Sequence, residues 1–201
     1  MDKIICIGKN YIEHAQELGD AVPEYPVVFL KPPSVSFAVD QRLELSHVHL
    51  SSRRGKIHYE CEVILKLSRD GEIQAVSLGL DLTLRELQAD LKKKGLPWEA
   101  AKVFSSSAVI GPWIPIREFP NYLDEEFQFF LNGTLRQKAK GKEMRFSPDQ
   151  CIHFASSLFP IMDGDVLFTG TPAGVGAIED GQIAQLKWGD RLCYRLQFHL
   201  S

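Results

Sequence analysis

The sequence predicts a β-rich α+β fold for the 201 residues. Short apolar runs with many β-branched residues recur along the chain and are separated by Gly, Pro and Asp, which is typical of strands joined by turns. The predicted strands are Ile4–Ile7, Val27–Leu30, Tyr59–Leu67, Val76–Leu82, Phe127–Leu131, Asp165–Phe168 and Leu192–Phe198. Because no repeat or linker divides the sequence, we expect residues 1–201 to form a single domain.

Helical patterns are few. The first short helix follows Asn10, an Asx-type cap with Glu13 three residues later, and is expected to end at Gly19. The clearest helix runs from Leu84 to Lys94, where leucines recur at helical spacing. A weaker candidate, Ser147–Leu158, begins with a proline in its first turn.

The flanks of the helix Leu84–Lys94 predict its ends. Thr83 and Glu86 have the spacing of a capping box, in which each side chain satisfies an amide of the first turn. Lysines 92–94 fall in the last turn, where the helix dipole favours cations, and Gly95 suits a left-handed cap.

The composition excludes several classes of protein. The net charge is -3, and the only dense basic run is the lysine cluster that ends the helix, so we expect no nucleic-acid partner. The apolar start of the chain is too short for a signal peptide or membrane span, which predicts a cytoplasmic protein without a membrane partner. Four scattered cysteines indicate buried free thiols rather than disulfides or a zinc site.

Two acidic residues alternate along one predicted strand. In the segment His58–Val63 a strand would point His58, Glu60 and Glu62 to one side. Carboxylates this close repel each other unless a cation binds between them, and Mg²⁺ and Mn²⁺ prefer such oxygen ligands. The alternation also suits the solvated face of an antiparallel strand, so both interpretations stay open at this point.

Asp81 closes the next apolar strand, just before the helix, and is a plausible third ligand of the same ion. It could equally serve only to suit the amino terminus of that helix. Arg85 and Gln88 lie near one stripe of the helix, where they could face the same pocket or the solvent.

Two further motifs could contribute to a site. His14 and Glu17 are three residues apart on the first helix, so the carboxylate could orient the imidazole as a general base, although such pairs are common on exposed helices. The glycine-rich segment 169–176 follows a predicted strand and could aim amides and a threonine hydroxyl at an anion such as a carboxylate, or form a simple tight turn.

These motifs, in this order, resemble the fumarylacetoacetate hydrolase family, especially its short acylpyruvase-like and fumarylpyruvate hydrolase-like members. The resemblance extends from Ile4 to about Phe198. Its carriers are Gly8–Tyr11 with His14, Pro26–Pro32, His58–Glu62, Leu80–Thr83 with Arg85 and Gln88, Lys94–Trp98 leading to Lys102, Gly164–Asp165, Thr169–Pro172 and Gly174–Gly176. One departure is the interval between Glu62 and Asp81, which is shorter than in known relatives and lacks an additional helix.

The resemblance implies a role for each candidate residue. The implied Mg²⁺ or Mn²⁺ ligands are Glu60, Glu62 and Asp81; the implied catalytic residues are His14, Glu17 and Lys102; and the implied substrate-binding residues are Arg85, Gln88, Gly170 and Thr171. The implied fold is a mixed β-sandwich roll with a few peripheral helices, usually assembled as a homodimer.

The resemblance also implies a reaction. We expect a metal-dependent hydrolase that cleaves a carbon–carbon bond in a 2,4-dioxo acid, with pyruvate leaving as its enolate. An enzyme that stabilises this enolate could instead decarboxylate oxaloacetate or interconvert the keto and enol forms of a 2-oxo acid. A protein that only binds a metal and an oxo acid is the alternative from another class.

Overall fold

The computed structural model describes residues 1–17, 22–40, 42 and 44–201, and of residues 14–16 it describes the backbone alone. The strands are β1 Ile4–Gly8, β2 Val27–Lys31, β3 Ser36–Ala38, β4 Ser46–Leu50, β5 Ile57–Tyr59, β6 Cys61–Leu67, β7 Ile73–Asp81, β8 Thr83–Leu84, β9 Ala108–Ile110, β10 Ile114–Pro115, β11 Glu126–Leu131, β12 Thr134–Lys140, β13 Val166–Phe168, β14 Gly176–Ala177, β15 Ile183–Trp188 and β16 Leu192–Leu200. The α-helices are α1 Ile12–Glu17, α2 Arg85–Lys93 and α3 Pro148–Leu158. Short 3₁₀ turns at Pro33–Val35, Glu99–Ala101, Ile116–Glu118 and Gly141–Glu143 complete the described elements.

The strands form three sheets, which confirms the β-rich α+β prediction. The largest has the order β2-β1-β13-β6-β7-β9-β3, with β10 also paired to β7. A second sheet has the order β12-β11-β15-β16-β4, and a third joins β14, β5 and β8. Both parallel and antiparallel pairs occur, since β1 runs parallel to β13 whereas β6 and β7 form an antiparallel hairpin.

One continuous core joins the two larger sheets. The inward side chains of the hairpin β6–β7 pack in the same cluster as those of β11, β15 and β16, including Phe127, Phe129 and Trp188. These three aromatic side chains are fully buried. Packing of this kind is expected of a sheet layer that hides one apolar face against another.

The predicted strand Tyr59–Leu67 is two strands. Tyr59 ends β5 and pairs with Gly176 in the third sheet, whereas Cys61 begins β6 and pairs with Leu80 in the first. Glu60 lies at the break between them. The chain therefore changes sheets at Glu60, a feature that uniform side-chain alternation does not reveal.

The expected caps of two helices are wrong. Thr83 belongs to β8 and its hydroxyl donates to Glu60, so α2 begins after Leu84 without a side-chain cap. The side chain of Asn10 is fully buried and bonds to Phe146 and the carbonyl of Thr169 instead of capping α1. In both positions tertiary hydrogen bonds outcompete the local cap. The predicted end of α1 at Gly19 lies outside the described residues.

The other helix ends follow the sequence. Gly95 has φ of 65°, so it takes the left-handed position after α2, and Lys92 and Lys93 lie in the last turn. Ser147 caps α3 and forms a reciprocal capping box with Gln150. In the described part of the chain, no helix combines the length and apolar character that crossing a membrane requires.

The cysteine prediction is correct for three of the four thiols. Cys6, Cys61 and Cys151 are buried and unpaired. Cys193 is also free but exposed, because it takes an outward position in the alternating strand β16.

Candidate active site

Three carboxylates converge where the hairpin β6–β7 meets the third sheet. Glu60 lies just before β6, Glu62 is on β6, and Asp81 is the last residue of β7. Their exposed fractions are 5%, 2% and 2%, and one oxygen from each lies within 4.8 Å of the others. The solvated-face interpretation of Glu60 and Glu62 is therefore wrong, since both side chains point into the protein.

The hairpin register sets this convergence. Glu62 is paired with Gly79, two residues before Asp81, so both acids lie near the same end of the hairpin. A Cβ on Gly79 would lie 2.6 Å from the carbonyl oxygen of Val109 on β9. The absence of a side chain at this position lets β9 approach closely beside the acids.

Cationic side chains hold two of the three acids. Lys102 Nζ donates to Glu60 Oε2 at 2.8 Å and to Asp81 Oδ2 at 2.6 Å. Lys31 Nζ lies 2.5 Å from Asp81 Oδ1. Arg85 forms an ion pair with Glu60. Each of these two carboxylates thus has a fixed orientation.

Glu62 is in a different electrostatic situation. Burial, and then the charges of Asp81 and Glu60, raise its pKa well above the ordinary value, although Lys102 and the amide of Gly170 oppose the shift. Among the described residues, no lysine or arginine lies within ion-pair distance of this carboxylate. As an anion it therefore needs an additional positive charge nearby.

Lys102 is held as a cation. Burial opposes its charge, but Asp81 and Glu60 outweigh burial and raise its pKa above the ordinary value for lysine. A lysine in this state can donate hydrogen bonds and stabilise negative charge, and it does not serve as a base near neutral pH.

These residues fit a hard divalent cation. Mg²⁺ binds oxygen ligands at roughly 2.1 Å, so opposite ligands lie roughly 4 Å apart, and carboxylates already within 4.8 Å need only small adjustments. All three donors are oxygens, which selects Mg²⁺ or Mn²⁺ over softer metals. The unfavourable ionisation of Glu62 would be relieved by such an ion.

The first turn of α2 brings the predicted Arg85 and Gln88 together. Arg85 Nη1 donates to Gln88 Oε1 at 2.8 Å, while its other nitrogen reaches Glu60. Gln88 is 5% exposed, and both residues line the pocket. The pair therefore faces the site rather than the solvent, and its role in substrate binding stays a prediction.

The glycine-rich segment after β13 also reaches the acids. The amide of Gly170 donates to Glu62 Oε2 at 2.7 Å, and the Thr171 hydroxyl donates to the Cys61 carbonyl at 2.9 Å. Gly170 has φ of 100°, and a Cβ there would lie 2.8 Å from that of Asn10. Thr171 lines the pocket, so its predicted contact with substrate is sterically open.

Of the predicted catalytic pair His14 and Glu17, the structure describes the side chain of Glu17 only. The backbone of His14 is in α1, but its side chain is outside the described residues. Glu17, the last residue of α1, accepts from the amide of Gly174 at 3.1 Å and so connects the helix to the glycine-rich segment. The catalytic role of both residues stays a prediction.

A small pocket opens over the acids, with a volume of about 120 Å³. Its lining is Ile7, Gly8, Lys9, Val27, Phe29, Glu60, Glu62, Asp81, Arg85, Gln88, Lys92, Trp98, Lys102 and Thr171. Phe29 and Trp98 meet edge to face, with ring centroids 5.0 Å apart, and form an apolar wall. The pocket is smaller than the roughly 300–1,000 Å³ of sites for drug-sized molecules, which suits a compact ligand.

Two buried polar residues that bond to the site were not predicted. Lys31 ends β2, and besides Asp81 it contacts the carbonyl oxygens of Ser107 and Leu82 at 2.7 and 3.3 Å. Gln137 on β12 is 1% exposed and bonds to the amide of Cys61 and the hydroxyl of Thr171. The sequence does contain a signal for Lys31, because this lysine closes an apolar strand. It contains no signal for Gln137, because most of the residues around it in β12 are also polar.

Nearly the whole chain matches the sequence profile of a known family. The profile described as fumarylacetoacetate hydrolase C-terminal matches residues 3–197. The chain belongs to the fumarylacetoacetate hydrolase family. Within this family, the fold prediction of a mixed β-sandwich roll is confirmed by solved relatives that share the architecture.

Three relatives illustrate the range of the family. The mitochondrial oxaloacetate tautomerase of Rattus norvegicus is 36% identical over 187 residues, covering 88% of this chain and 82% of the relative. An oxaloacetate tautomerase of Escherichia coli is 34% identical over 192 residues, covering 90% and 85%. The crystal structure of fumarylpyruvate hydrolase from Pseudomonas aeruginosa, in complex with Mn²⁺ and pyruvate, is 29% identical, with a TM-score of 0.90 and coverage of 99% and 90%.

These relatives are enzymes, and their named activities differ. Hydrolase and tautomerase members both lie within this similarity range, so family membership does not choose between them. One relative was solved with Mn²⁺, in agreement with an oxygen-rich acidic site.

Proposed function

We propose that the protein is a divalent-metal-dependent enzyme that promotes enolisation of a short 2-oxo acid. The observation that carries this proposal is the buried convergence of Glu60, Glu62 and Asp81 beside the cationic Lys102. When bound there, Mg²⁺ or Mn²⁺ would supply Lewis-acid polarisation of the 2-oxo group and the adjacent carboxylate.

The chain's own residues would bind and orient the substrate. Four cationic side chains and three carboxylates line the pocket, so a bound divalent ion would give it an excess of positive charge that favours an acid with two negative charges. The cationic residues are Lys9, Arg85, Lys92 and Lys102. In this proposal Arg85, held by Gln88, and the Thr171 segment contact carboxylate oxygens of the acid.

Lys102 would act on the oxygen that becomes negative. Enolisation moves charge from C3 to the oxygen of the 2-oxo group, and a fixed ammonium in a buried site stabilises that charge with little reorganisation. Because Lys102 is a cation bonded to Glu60 and Asp81, its position is set before substrate arrives.

Keto–enol tautomerisation of oxaloacetate is the first specific reaction to test. Two of the relatives described above carry this activity by name, and the pocket of about 120 Å³ suits a four-carbon dicarboxylic acid. The reaction requires no attacking water. The C–H bond at C3 would break with its proton passing to solvent water, and the oxygen of the 2-oxo group would take a proton from solvent water, while the acids, Lys102 and the substrate-binding residues hold the substrate in place.

Hydrolysis of a 2,4-dioxo acid is the second candidate, because the Pseudomonas aeruginosa relative is a fumarylpyruvate hydrolase. It needs a base that takes a proton from water, the role predicted for His14 with Glu17. Water would then attack the distal carbonyl, and pyruvate would leave as its enolate when the carbon–carbon bond breaks.

One assay separates the two reactions. The purified protein is incubated with oxaloacetate or acylpyruvates, with Mg²⁺ or Mn²⁺ and with or without a chelator; enol absorbance and released pyruvate are measured. We expect metal-dependent activity that Asp81→Asn removes, whereas His14→Ala should remove hydrolysis only. Full activity of Asp81→Asn in chelator would refute the metal proposal, and unchanged acylpyruvate cleavage by His14→Ala would exclude His14 as the base.

We further propose a homodimer that uses Mg²⁺ or Mn²⁺ and resides in the cytoplasm. Sedimentation of the purified protein would measure its assembly, and titration with each metal would rank their affinities. A monomeric sedimentation coefficient at all concentrations would contradict the dimer. The named rat relative is mitochondrial, so fractionation of cells is the direct test of location.

A further inference from the structure

Half of the chain's six histidines lie together on the second sheet, away from the acidic site. His47 and His49 are on β4, which pairs in parallel with β16, where His199 lies. His47 and His49 are exposed, and His199 is partly exposed. The three imidazoles therefore form a cluster that dissolved ions can reach.

The strand register creates this cluster. His47 and His49 are two residues apart, so their side chains leave the same face of β4. His199 is directly opposite His49 on the adjacent strand. The ring centroid of His199 lies 5.1 Å from that of His47 and 4.8 Å from that of His49.

We propose that His47, His49 and His199 form a second metal site, which binds a transition-metal ion such as Zn²⁺ or Cu²⁺. Imidazole nitrogen is a preferred ligand for these metals, whereas carboxylate oxygens select Mg²⁺ and Mn²⁺. The two sites therefore differ in both ligand type and location. Three protein ligands leave one position of a tetrahedral ion for water or another molecule.

The spacing of His47 and His199 is close to that required of two ligands. His47 Nδ1 and His199 Nε2 are 2.8 Å apart and share a hydrogen bond. Zinc binds imidazole at roughly 2.1 Å, so two tetrahedral ligands lie roughly 3.3 Å apart. Separating the two nitrogens by about half an ångström, which exposed rings permit, lets an ion replace the shared proton. His49, stacked on His199, then needs a change of ring orientation to supply the third nitrogen.

Zn²⁺ titration by calorimetry tests the site while excess Mg²⁺ occupies the acidic one. We expect the parent protein to bind one equivalent, and His47→Ala and His199→Ala each to weaken binding by about tenfold or more. The matched control is His153→Ala, which removes an exposed histidine on α3 and should leave Zn²⁺ affinity unchanged. Turnover of 2-oxo acids with Mg²⁺ should be the same in all four proteins.

Cu²⁺ provides an independent readout. The paramagnetic resonance spectrum of the copper-loaded parent should show coupling to imidazole nitrogens, and His47→Ala should reduce the number of coupled nitrogens. Equal Zn²⁺ affinity in the parent and His199→Ala, or a copper spectrum without nitrogen coupling, would overturn the proposal. If His199→Ala does not fold, His47→Gln at an exposed position gives the same comparison.

Discussion

Replacing Glu62 with glutamine should stabilise the metal-free protein above mildly acidic pH while weakening its response to metal. Glutamine keeps the shape of the side chain and an oxygen that can accept from the Gly170 amide. It removes a buried negative charge that burial, Asp81 and Glu60 all disfavour. The same charge is the one that an added divalent ion would stabilise.

The sign and size of the effect follow from linkage. The pKa of Glu62 in the folded protein lies above its unfolded value of about 4.5, so the folded state holds its proton more tightly. Below the unfolded pKa the carboxyl is protonated in both states and contributes nothing. As pH rises from there to the folded pKa, the parent loses about 1.4 kcal/mol of stability per pH unit relative to Glu62→Gln.

Urea unfolding in chelator at several pH values from 5 to 8 (about one unit apart) measures this difference. The stability gap between Glu62→Gln and the parent should widen as pH rises, and added Mg²⁺ should then stabilise the parent more. Glu143→Gln is the control, since Glu143 is an exposed acid outside the cluster. A gap that stays constant with pH in chelator would refute the reasoning that Glu62 is ionised at a cost.

Four further predictions follow from the same contacts. Lys102→Met should lower kcat by about 10²- to 10³-fold, because it removes the ammonium that stabilises the enolate oxygen; steady-state kinetics beside the exposed Lys94→Met tests this, and equal kcat in both variants would contradict it. Lys31→Met should lower the free energy of unfolding by about 3 kcal/mol, since it leaves Asp81 without one of its buried partners; urea unfolding beside Lys142→Met, which breaks only an exposed pair, gives the comparison. Chelator should lower the melting temperature of the parent, and Mg²⁺ or Mn²⁺ should restore it. A melting temperature that changes with neither chelator nor metal would argue against a metal site. Dicarboxylic 2-oxo acids should have a higher kcat/KM than monocarboxylic ones, because the four cations of the pocket and a bound divalent ion together outweigh its three carboxylates, and this difference should shrink at high salt. Equal kcat/KM for the two classes of acid at low salt would refute this.

The strands that the sequence predicts correctly are strands whose buried residues appear in the sequence as apolar runs. β1, β2, β6, β7 and β16 all contain such runs and were predicted within a few residues. β4 was missed because histidines fill its outward positions, so its alternation of buried and exposed residues looked polar. β12 was missed because five of its residues lie at least partly exposed, and four of these, Thr134, Arg136, Lys138 and Lys140, carry polar or charged groups. Both strands exist because a neighbour in the sheet supplies their hydrogen bonds, which is information that a local window lacks.

In the site, too, local patterns in the sequence predicted some features, whereas contacts between distant residues could not be predicted. Glu60, Glu62 and Asp81 were proposed from alternation and strand position, and the hairpin register brings them together. Local reasoning failed at Thr83, whose capping box with Glu86 had the correct spacing. Its hydroxyl is instead used by Glu60, a partner that is distant in sequence and is defined only by the fold.

The arrangement of charges explains why the site needs its unpredicted lysine. Lys31, Lys102 and Arg85 together offset the three buried carboxylates, but their direct ion pairs are with Glu60 and Asp81. These cations therefore fix two acids in place before any ion arrives and leave Glu62 as the acid whose charge is least compensated. A bound divalent ion would turn a nearly neutral cluster into one with excess positive charge. An acid with two carboxylates restores neutrality, which links the choice of substrate to the same lysines that orient the metal ligands.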